Sequence, residues 1–282
     1  MLGTLFVVAT PIGNLEDLSA RAIRVLSAVA LIAAEDTRHT RRLLERYGIT
    51  TPTTSLHAHN ETGKAAQLVA RLQAGDDVAL VSDAGTPTVS DPGQPVVAAA
   101  WAAGLRVEPV PGPSAAVAAL SVSGIPGNGF VFLGFPPHRG RERTEWFARV
   151  RSAASVAAAL VFYEAPHRIM QTLAELQQHC GTPQVLVARE LTKAHETILS
   201  GPLDVVAAQV EPRGEFTVVV RLDTLTTDDA EMPPAAEAVA TAFAALTADG
   251  HTRRQALSAL SRQFRLSARE VFRLLETAKE AR

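Results

Sequence analysis

Only one cysteine, Cys180, occurs in the 282 residues. Its solitude excludes an internal disulfide framework and a cysteine-built zinc cluster, and it suits a reducing compartment. The thiol is expected to behave as a small buried hydrophobe. Neither sign of charge dominates: a net charge of −2 with 20% charged and 47% hydrophobic residues excludes a disordered chain and a uniformly basic nucleic-acid coat protein. Any polyanion site must therefore be local. No apolar run approaches the ~20 residues of a membrane span, and Met1 leads into Leu5-Phe6-Val7-Val8-Ala9 without a basic segment. A cytoplasmic protein is expected, in which the sequon Asn60-Glu61-Thr62 is a chance match.

Nucleotide fingerprints are missing too. Gly63-Lys64 is followed by Ala65 and lacks the upstream glycine of a phosphate loop, and no G-x-G-x-x-G follows the first apolar run. Gly124-Ile125-Pro126-Gly127-Asn128-Gly129 precedes a strand, which is the wrong context for a dinucleotide turn.

What is present is an alternation of short β-branched runs with longer helical stretches. Leu5 to Ala9, Leu31 to Ala34, Val78 to Ser82 and Arg106 to Val110 read as strands of a mostly parallel sheet. Ile23, Leu26 and Ala30, and likewise Leu68 and Leu72, recur at helical spacing and are expected to cover it. The pattern breaks at Phe135-Pro136-Pro137-His138-Arg139-Gly140-Arg141, read as an exposed connection between domains. Beyond it, Ala159 to Tyr163, Val185 to Ala188, Thr197 to Leu199 and Phe216 to Leu222 read as strands of a mixed sheet, with helices between Pro166 and His179 and after Pro202.

Residues 224–236 are acidic and carry Pro233-Pro234, the composition of a linker. Two capping boxes, Thr252-x-x-Gln255 and Ser267-x-x-Glu270, then open helices of a small appendix. From Asp249 to Arg282 eight Lys/Arg face four acids, a local +4 that suits either RNA or a solvated helix face. The expected division is thus an N-terminal α/β domain at 1–135, a second α/β domain at 136–223, the linker, and a helical unit at 237–282.

In open α/β sheets, ligands sit beyond the carboxyl ends of the strands, where small residues let backbone N–H groups approach. Three such loops occur here: Thr10-Pro11-Ile12-Gly13-Asn14-Leu15; Asp83-Ala84-Gly85-Thr86-Pro87, continued by Asp91-Pro92-Gly93; and Val110-Pro111-Gly112-Pro113-Ser114-Ala115. Each alone is ordinary turn chemistry. Three at strand exits of one sheet argue for a shared site.

Together with Ala34-Glu-Asp-Thr-Arg38, Phe162-Tyr-Glu164, Pro166-His-Arg168 and Ala188-Arg-Glu-Leu-Thr-Lys193, these loops resemble the bacterial small-subunit ribosomal RNA methyltransferase I family, within the tetrapyrrole methylase superfamily. The resemblance runs in order through about 220 residues. It implies two α/β domains with S-adenosylmethionine in the cleft between them, a homodimer, and 2′-O-methylation of a cytidine in the decoding region of 16S ribosomal RNA. It further implies Pro11 at the rim of the cofactor site, Ala84, Gly85 and Thr86 against the methionine end, and Ser114 and Ala115 in its lining. Tyr163, Glu164 and the segment around Glu190 and Leu191 would enclose the adenosine. Tetrapyrrole-directed members commonly carry Gly-Asp-Pro where this chain has Gly85-Thr86-Pro87, which favours the RNA-directed branch.

Methyl transfer to a ribose hydroxyl needs positioning and a proton acceptor. The candidates are Glu35 and Asp36 at the end of the second strand, His57 and His59, and Lys193. Asp36 suits equally an N-cap of the helix that follows. His57 and His59, at alternate positions of an expected extended segment, suit RNA contact as well as solvent, and no third ligand stands at metal spacing. Arg38, Arg42 and Arg46, with Arg41 beside them, fall on one helix face that would track phosphates or simply be solvated. Two rival functions remain open: a methylase of a small tetrapyrrole precursor, and a non-catalytic RNA-binding assembly factor.

Overall fold

The structure, a computed structural model, describes residues 1–127, 129–223, 236–264 and 268–280. Residues 1–223 carry two five-stranded sheets. The first is built from β1 (Thr4–Val8), β2 (Leu31–Ala34), β3 (Thr53–Ser55), β4 (Val78–Val81) and β5 (Arg106–Val110), all parallel, in the order β3-β2-β4-β1-β5. Helices α1 (Ala20–Ala28), α2 (Thr37–Arg46), α3 (Glu61–Gln73) and α4 (Gln94–Ala102) connect them.

Because successive side chains point to opposite faces, each central strand feeds two cores. Ile32, Ala34, Ala79 and Val81 join Leu26, Leu43 and Leu44 on one face, whereas Leu31, Ala33, Val78 and Leu80 join Leu68, Leu72 and Val96 on the other. Burial on both faces is what turns these strands into continuous apolar runs. Helix α1 ends at Ala28, so Ala30, expected on its apolar face, is exposed and Val29 is buried instead.

The second sheet has the order β6-β7-β10-β8-β9, from β6 (Phe130–Phe132), β7 (Ala159–Glu164), β8 (Gln184–Arg189), β9 (Thr197–Pro202) and β10 (Phe216–Arg221). It is mixed: β6 runs parallel to β7 and the remaining pairs are antiparallel. One face packs on α6 (Gly140–Ala153), α7 (Ile169–Cys180) and α8 (Leu203–Ala207) through Trp146, Phe147, Leu173, Leu176 and Val206. Its other face is covered by Ala116 and Ala119 of α5 (Ala115–Val122). Helix α5 leaves β5 of the first sheet and packs on the second, and β6 precedes residue 135. The chain therefore passes to the second sheet ahead of the Pro/Gly break. Cys180 is half-buried beside the first of these cores, and burial pushes its thiol up to about 11, which favours the protonated form.

Strand β6 begins where a strand is expected after Gly129, whereas the equally short β3, three residues like β6, is not announced by the sequence, because Thr-Thr-Ser lacks the length of a periodic signal. The described residues 236–264 and 268–280 belong to a separate helical unit. Its helices α9 (Ala236–Ala248), α10 (Arg253–Gln263) and α11 (Ala268–Glu280) enclose Val239, Leu260, Val271 and Leu275. Thr252 and Gln255 form the expected reciprocal cap. Residues 224–235 of the expected linker and Ser267 of the second box lie outside the described residues.

Candidate active site

Strand order places a crevice at the first sheet's carboxyl edge. β1 and β4 are neighbours, yet the chain leaves β1 toward β2 on one side and leaves β4 toward β5 on the other. Such a reversal leaves room for a ligand beyond the strand ends. Here the exits are bridged: Thr10 and Gly85 pair through their backbones, and the Thr10 hydroxyl donates to the Ser82 carbonyl at 3.1 Å. The third loop is tied to the second, since the Thr86 hydroxyl donates to the Pro113 carbonyl at 3.2 Å.

Facing these loops are the β7 and β8 exits and the start of β10. Gly13 permits the approach, because a Cβ there would lie 2.5 Å from Lys193 Cγ and 2.8 Å from the Leu191 carbonyl oxygen. Asn14 N–H then donates to the Thr192 hydroxyl at 2.9 Å. Between the two sets of loops lies a cavity of about 300 Å³. Ala84, Gly85, Thr86, Ser114, Ala115, Tyr163, Glu164 and Leu191 all line it, joined by Ile12, Asp91, Phe135, Ala188, Glu215 and Thr217.

Two expected site residues lie elsewhere. Pro11 is buried and it is Ile12 that reaches the cavity. Glu190 is not in the lining: its Oε1 accepts from the Glu215 N–H at 2.9 Å and from Lys193 Nζ at 3.0 Å. These bonds, the Glu215 N–H first, hold its carboxyl below the usual range. Glu190 thereby clamps the turn before β10 against the β8 exit, with a left-handed φ of 53°.

Glu164 lines the cavity, but its carboxylate is committed to the protein. The side chain is 0% exposed and pairs with Arg168 at 2.5 Å. It also accepts from Thr172 Oγ1 at 2.5 Å and from Ala165 N–H at 2.8 Å. Arg143, itself buried, donates to that same Thr172 hydroxyl, to Glu175 and to the Pro137 carbonyl. A buried charge survives only when paired and hydrogen-bonded, and this network supplies both. Tyr163 is held by the Ala116 N–H on its hydroxyl at 3.3 Å and by the ring edges of Phe132 and Phe135.

The carboxylates at the β2 and β4 exits are interlocked. Asp36 N–H donates to Asp83 Oδ1 at 3.0 Å, and Asp83 N–H donates to Glu35 Oε2 at 3.3 Å. Burial raises the Glu35 pKa despite that hydrogen bond, and the charges of Asp83 and Asp36 add to the rise. Asp91 lines the cavity beyond them. Burial, with the Glu35 and Asp83 charges, pushes it up to about 6 against the lowering effect of the Ser82 hydroxyl. Its loop is strained: Thr88 and Ser90 have φ of 70° and 68°, conformations that non-glycine residues adopt at a cost. Gly93 closes the turn at φ 117°, where a Cβ would meet Leu80 Cδ2 at 2.8 Å, and its N–H donates to Glu61 at 2.7 Å. The sequence displayed Asp91-Pro92-Gly93 but gave no reason to single out Asp91. Only packing supplies its neighbours.

The remaining base candidates separate by geometry. Asp36 N-caps α2, accepting from Arg38 N–H at 2.8 Å, and that bond lowers its pKa. Lys193 bonds Glu215 at 2.8 Å as well as Glu190. Burial pulls its pKa down, but these hydrogen bonds and charges outweigh it and the net shift is upward. The lowered pKa that a lysine base requires is therefore absent. His57 and His59 sit in the turn before α3 rather than on an extended strand, exposed, with rings 6.0 Å apart. Arg38, Arg41, Arg42 and Arg46 are exposed on α2, whose Thr40, Leu43 and Leu44 are buried.

A family model described as tetrapyrrole (corrin/porphyrin) methylases matches residues 4–207. The ribosomal RNA small subunit methyltransferase I of Xylella fastidiosa (strain Temecula1) is 52% identical over 225 residues, 78% of this chain and 81% of that protein. The Synechocystis protein of the same name is 44% identical over 277 residues, 97% of each chain. Among solved structures, the methyltransferase CobJ superposes with a TM-score of 0.60 at 23% identity, covering 78% of this chain and 95% of that one. A Thermus thermophilus uroporphyrin-III C-methyltransferase complexed with S-adenosylhomocysteine gives 0.52 at 21%, covering 78% of this chain and 97% of the other. With its parallel sheet, bridged strand exits and second mixed sheet closing one cavity, this chain belongs to the tetrapyrrole methylase family, in the group of the ribosomal RNA small subunit methyltransferases I.

Proposed function

We propose that this protein is a methyltransferase that uses S-adenosylmethionine to methylate small-subunit ribosomal RNA, and that the acceptor is the 2′-hydroxyl of a cytidine in the decoding region of 16S RNA. The observation that carries the reading is the cavity of about 300 Å³ between the exits of β1, β4 and β5 and those of β7 and β8. Its walls fit the donor. Ala84, Gly85, Ser114, Ala115 and Ala188 bring backbone close, Ile12 and Leu191 supply apolar surface, and Asp91 offers a negative charge to a cation. Such a mixture, largely apolar with a few fixed polar groups, is what small-molecule sites present.

When bound, S-adenosylmethionine supplies an electrophilic methyl on a sulfonium that is already a good leaving group. The protein's work is then to orient the acceptor and to take its proton. Asp91 is the proton acceptor in this reading, because it lines the cavity and Glu35 stands behind it as a second carboxylate. A base works best when its pKa lies near the working pH. Asp36 caps α2, and Lys193 holds the β8 exit against the turn before β10. Arg38, Arg41 and Arg42, with His57 and His59, offer an exposed positive and hydrogen-bonding surface for RNA phosphates.

A homodimer, which the sequence resemblance implies, belongs to the same reading; light scattering on the purified chain would test it, a monomer mass rejecting it. The deciding experiment offers radiolabelled donor with small subunits lacking the modification, naked 16S RNA and a porphyrinoid side by side. Label in the RNA, in a cytidine whose 3′ linkage resists alkaline hydrolysis, is the expected result. Label only in the porphyrinoid would overturn the reading.

A further inference from the structure

The segment joining β6 to α6 holds Phe135, His138 and Arg139, and the first turn of α6 adds Arg141; all four are exposed, and none of them serves the fold's core. Phe135 is 51% exposed although it lines the cavity. A single exposed ring is commonplace. This one is held in place. The Gly134 carbonyl accepts from Tyr163 N–H at 2.9 Å, and Gly134 then turns at φ 59°. The Phe135 ring meets Tyr163 edge-on, with centroids 5.5 Å apart.

Beyond it, the Pro136 carbonyl accepts from Arg168 and the Pro137 carbonyl from Arg143, each at 2.9 Å. Both arginines belong to the buried network around Glu164, so the loop is tied to the rigid second sheet. Gly134 also packs tightly on the loop of Asp91: a Cβ there would lie 3.3 Å from Ser90 Oγ. A half-exposed aromatic ring thus lines the cavity that Asp91 also lines, followed along the chain by two exposed guanidiniums. Arg141 makes a solvated pair with Glu145 at 2.6 Å, with its side chain 90% exposed. An exposed pair of this kind is held weakly and leaves the cation available.

An aromatic fixed at the mouth of a site and flanked by arginines matches the chemistry of unpaired RNA, whose splayed bases stack on rings while guanidiniums hold the backbone. We propose that residues 135–141 grip the substrate strand: Phe135 stacks an unpaired base at the cavity mouth, and Arg139 and Arg141 contact the flanking phosphates. This inference rests on the RNA-methylating reading. A base stacked on Phe135 carries its ribose to the side of the cavity lined by Asp91.

The test compares the full-length protein with Phe135→Ala, Phe135→Trp and the double variant Arg139→Gln/Arg141→Gln. Calorimetry measures donor Kd, and transfer assays at varied RNA and salt measure KM and kcat. Phe135→Ala should raise KM for RNA about tenfold, while donor Kd changes much less and Phe135→Trp restores KM. The double variant should lower the slope of log KM against log salt by about 1.4, two contacts at about 0.7 each. A donor Kd weakened in proportion, with KM for RNA unchanged, would show that Phe135 covers the donor and would overturn the grip. Unchanged KM in all variants would overturn it too. If the wild-type protein labels no RNA, the underlying function fails and the grip falls with it, an outcome visible without any variant.

Discussion

Thr10 and Gly85 exchange two backbone hydrogen bonds, Thr10 N–H to the Gly85 carbonyl at 2.9 Å and Gly85 N–H to the Thr10 carbonyl at 3.0 Å. The pairing joins the exits of β1 and β4 at the point where the chain reverses direction across the sheet. It also holds Gly85 at φ 80°, with a Cβ position 3.4 Å from Ile12 Cγ2 and 3.7 Å from the Pro113 carbonyl oxygen.

Gly85→Asp should therefore abolish donor binding, since it adds a strained left-handed residue and an extra side chain on the cavity wall. The backbone strain alone costs on the order of 1–3 kcal/mol. Calorimetric titration with S-adenosylmethionine checks this, and retained affinity in a folded variant would remove the loop from the site.

Asp91→Asn should lower kcat by about 10²–10⁴ and abolish the acid limb of the rate profile, which in the wild type should turn near pH 6. Because the Glu35 charge acts on Asp91, that limb reports the two together. The stability sign follows from the raised native pKa: the wild type keeps this contribution below about pH 4 and loses it as pH rises through about 6. A rise of two units is worth at most about 3 kcal/mol, and partial solvation reduces that to about 1. Asp91→Asn should thus be about 1 kcal/mol more stable than wild type at pH 7 and gain nothing at pH 3, as read by urea unfolding. An acid limb that survives in the variant would acquit Asp91.

Replacing Arg38, Arg41 and Arg42 together by glutamine should weaken RNA binding and reduce its salt slope by up to about 2, at roughly 0.7 per lost phosphate contact. Stability should change little, because these side chains project from the exposed face of α2. Filter binding across a salt series provides the measurement, and an unchanged slope would leave α2 a solvated helix.

Glu164→Ala should cost about 3–5 kcal/mol of stability by stranding Arg168 and Thr172 in the interior. Glu164→Gln should cost less, since its amide oxygen still accepts while the ionic component is lost. Denaturant midpoints distinguish this structural role from direct donor contact, which would weaken binding without moving the midpoint.

Much of the fold was legible because it is written in local pattern. β2 and β5 appear in the sequence with the limits they have in the structure, and the alternation of apolar runs with helices dictates parallel crossovers. The loops Asp83 to Pro87 and Pro111 to Ala115 were visible because glycine and proline at strand exits mark sharp turns. The strand Thr53–Ser55 was not, since its extended form comes from pairing with β2.

The site divides the same way. Residue type and spacing determined that three strand exits carry small residues, that α2 presents arginines on one face, and that Asp36 caps it. Tertiary structure alone decided which carboxyl is raised toward neutral pH, since the Asp91 pKa depends on burial and on Glu35, 56 positions away in sequence. It also decided that Glu164 and Lys193 are held by protein partners, and that the Pro/Gly break at Phe135 forms a wall of the cavity. Charge, solvation and close approach act through space, and in this protein the groups that matter meet only when two sheets close on one another.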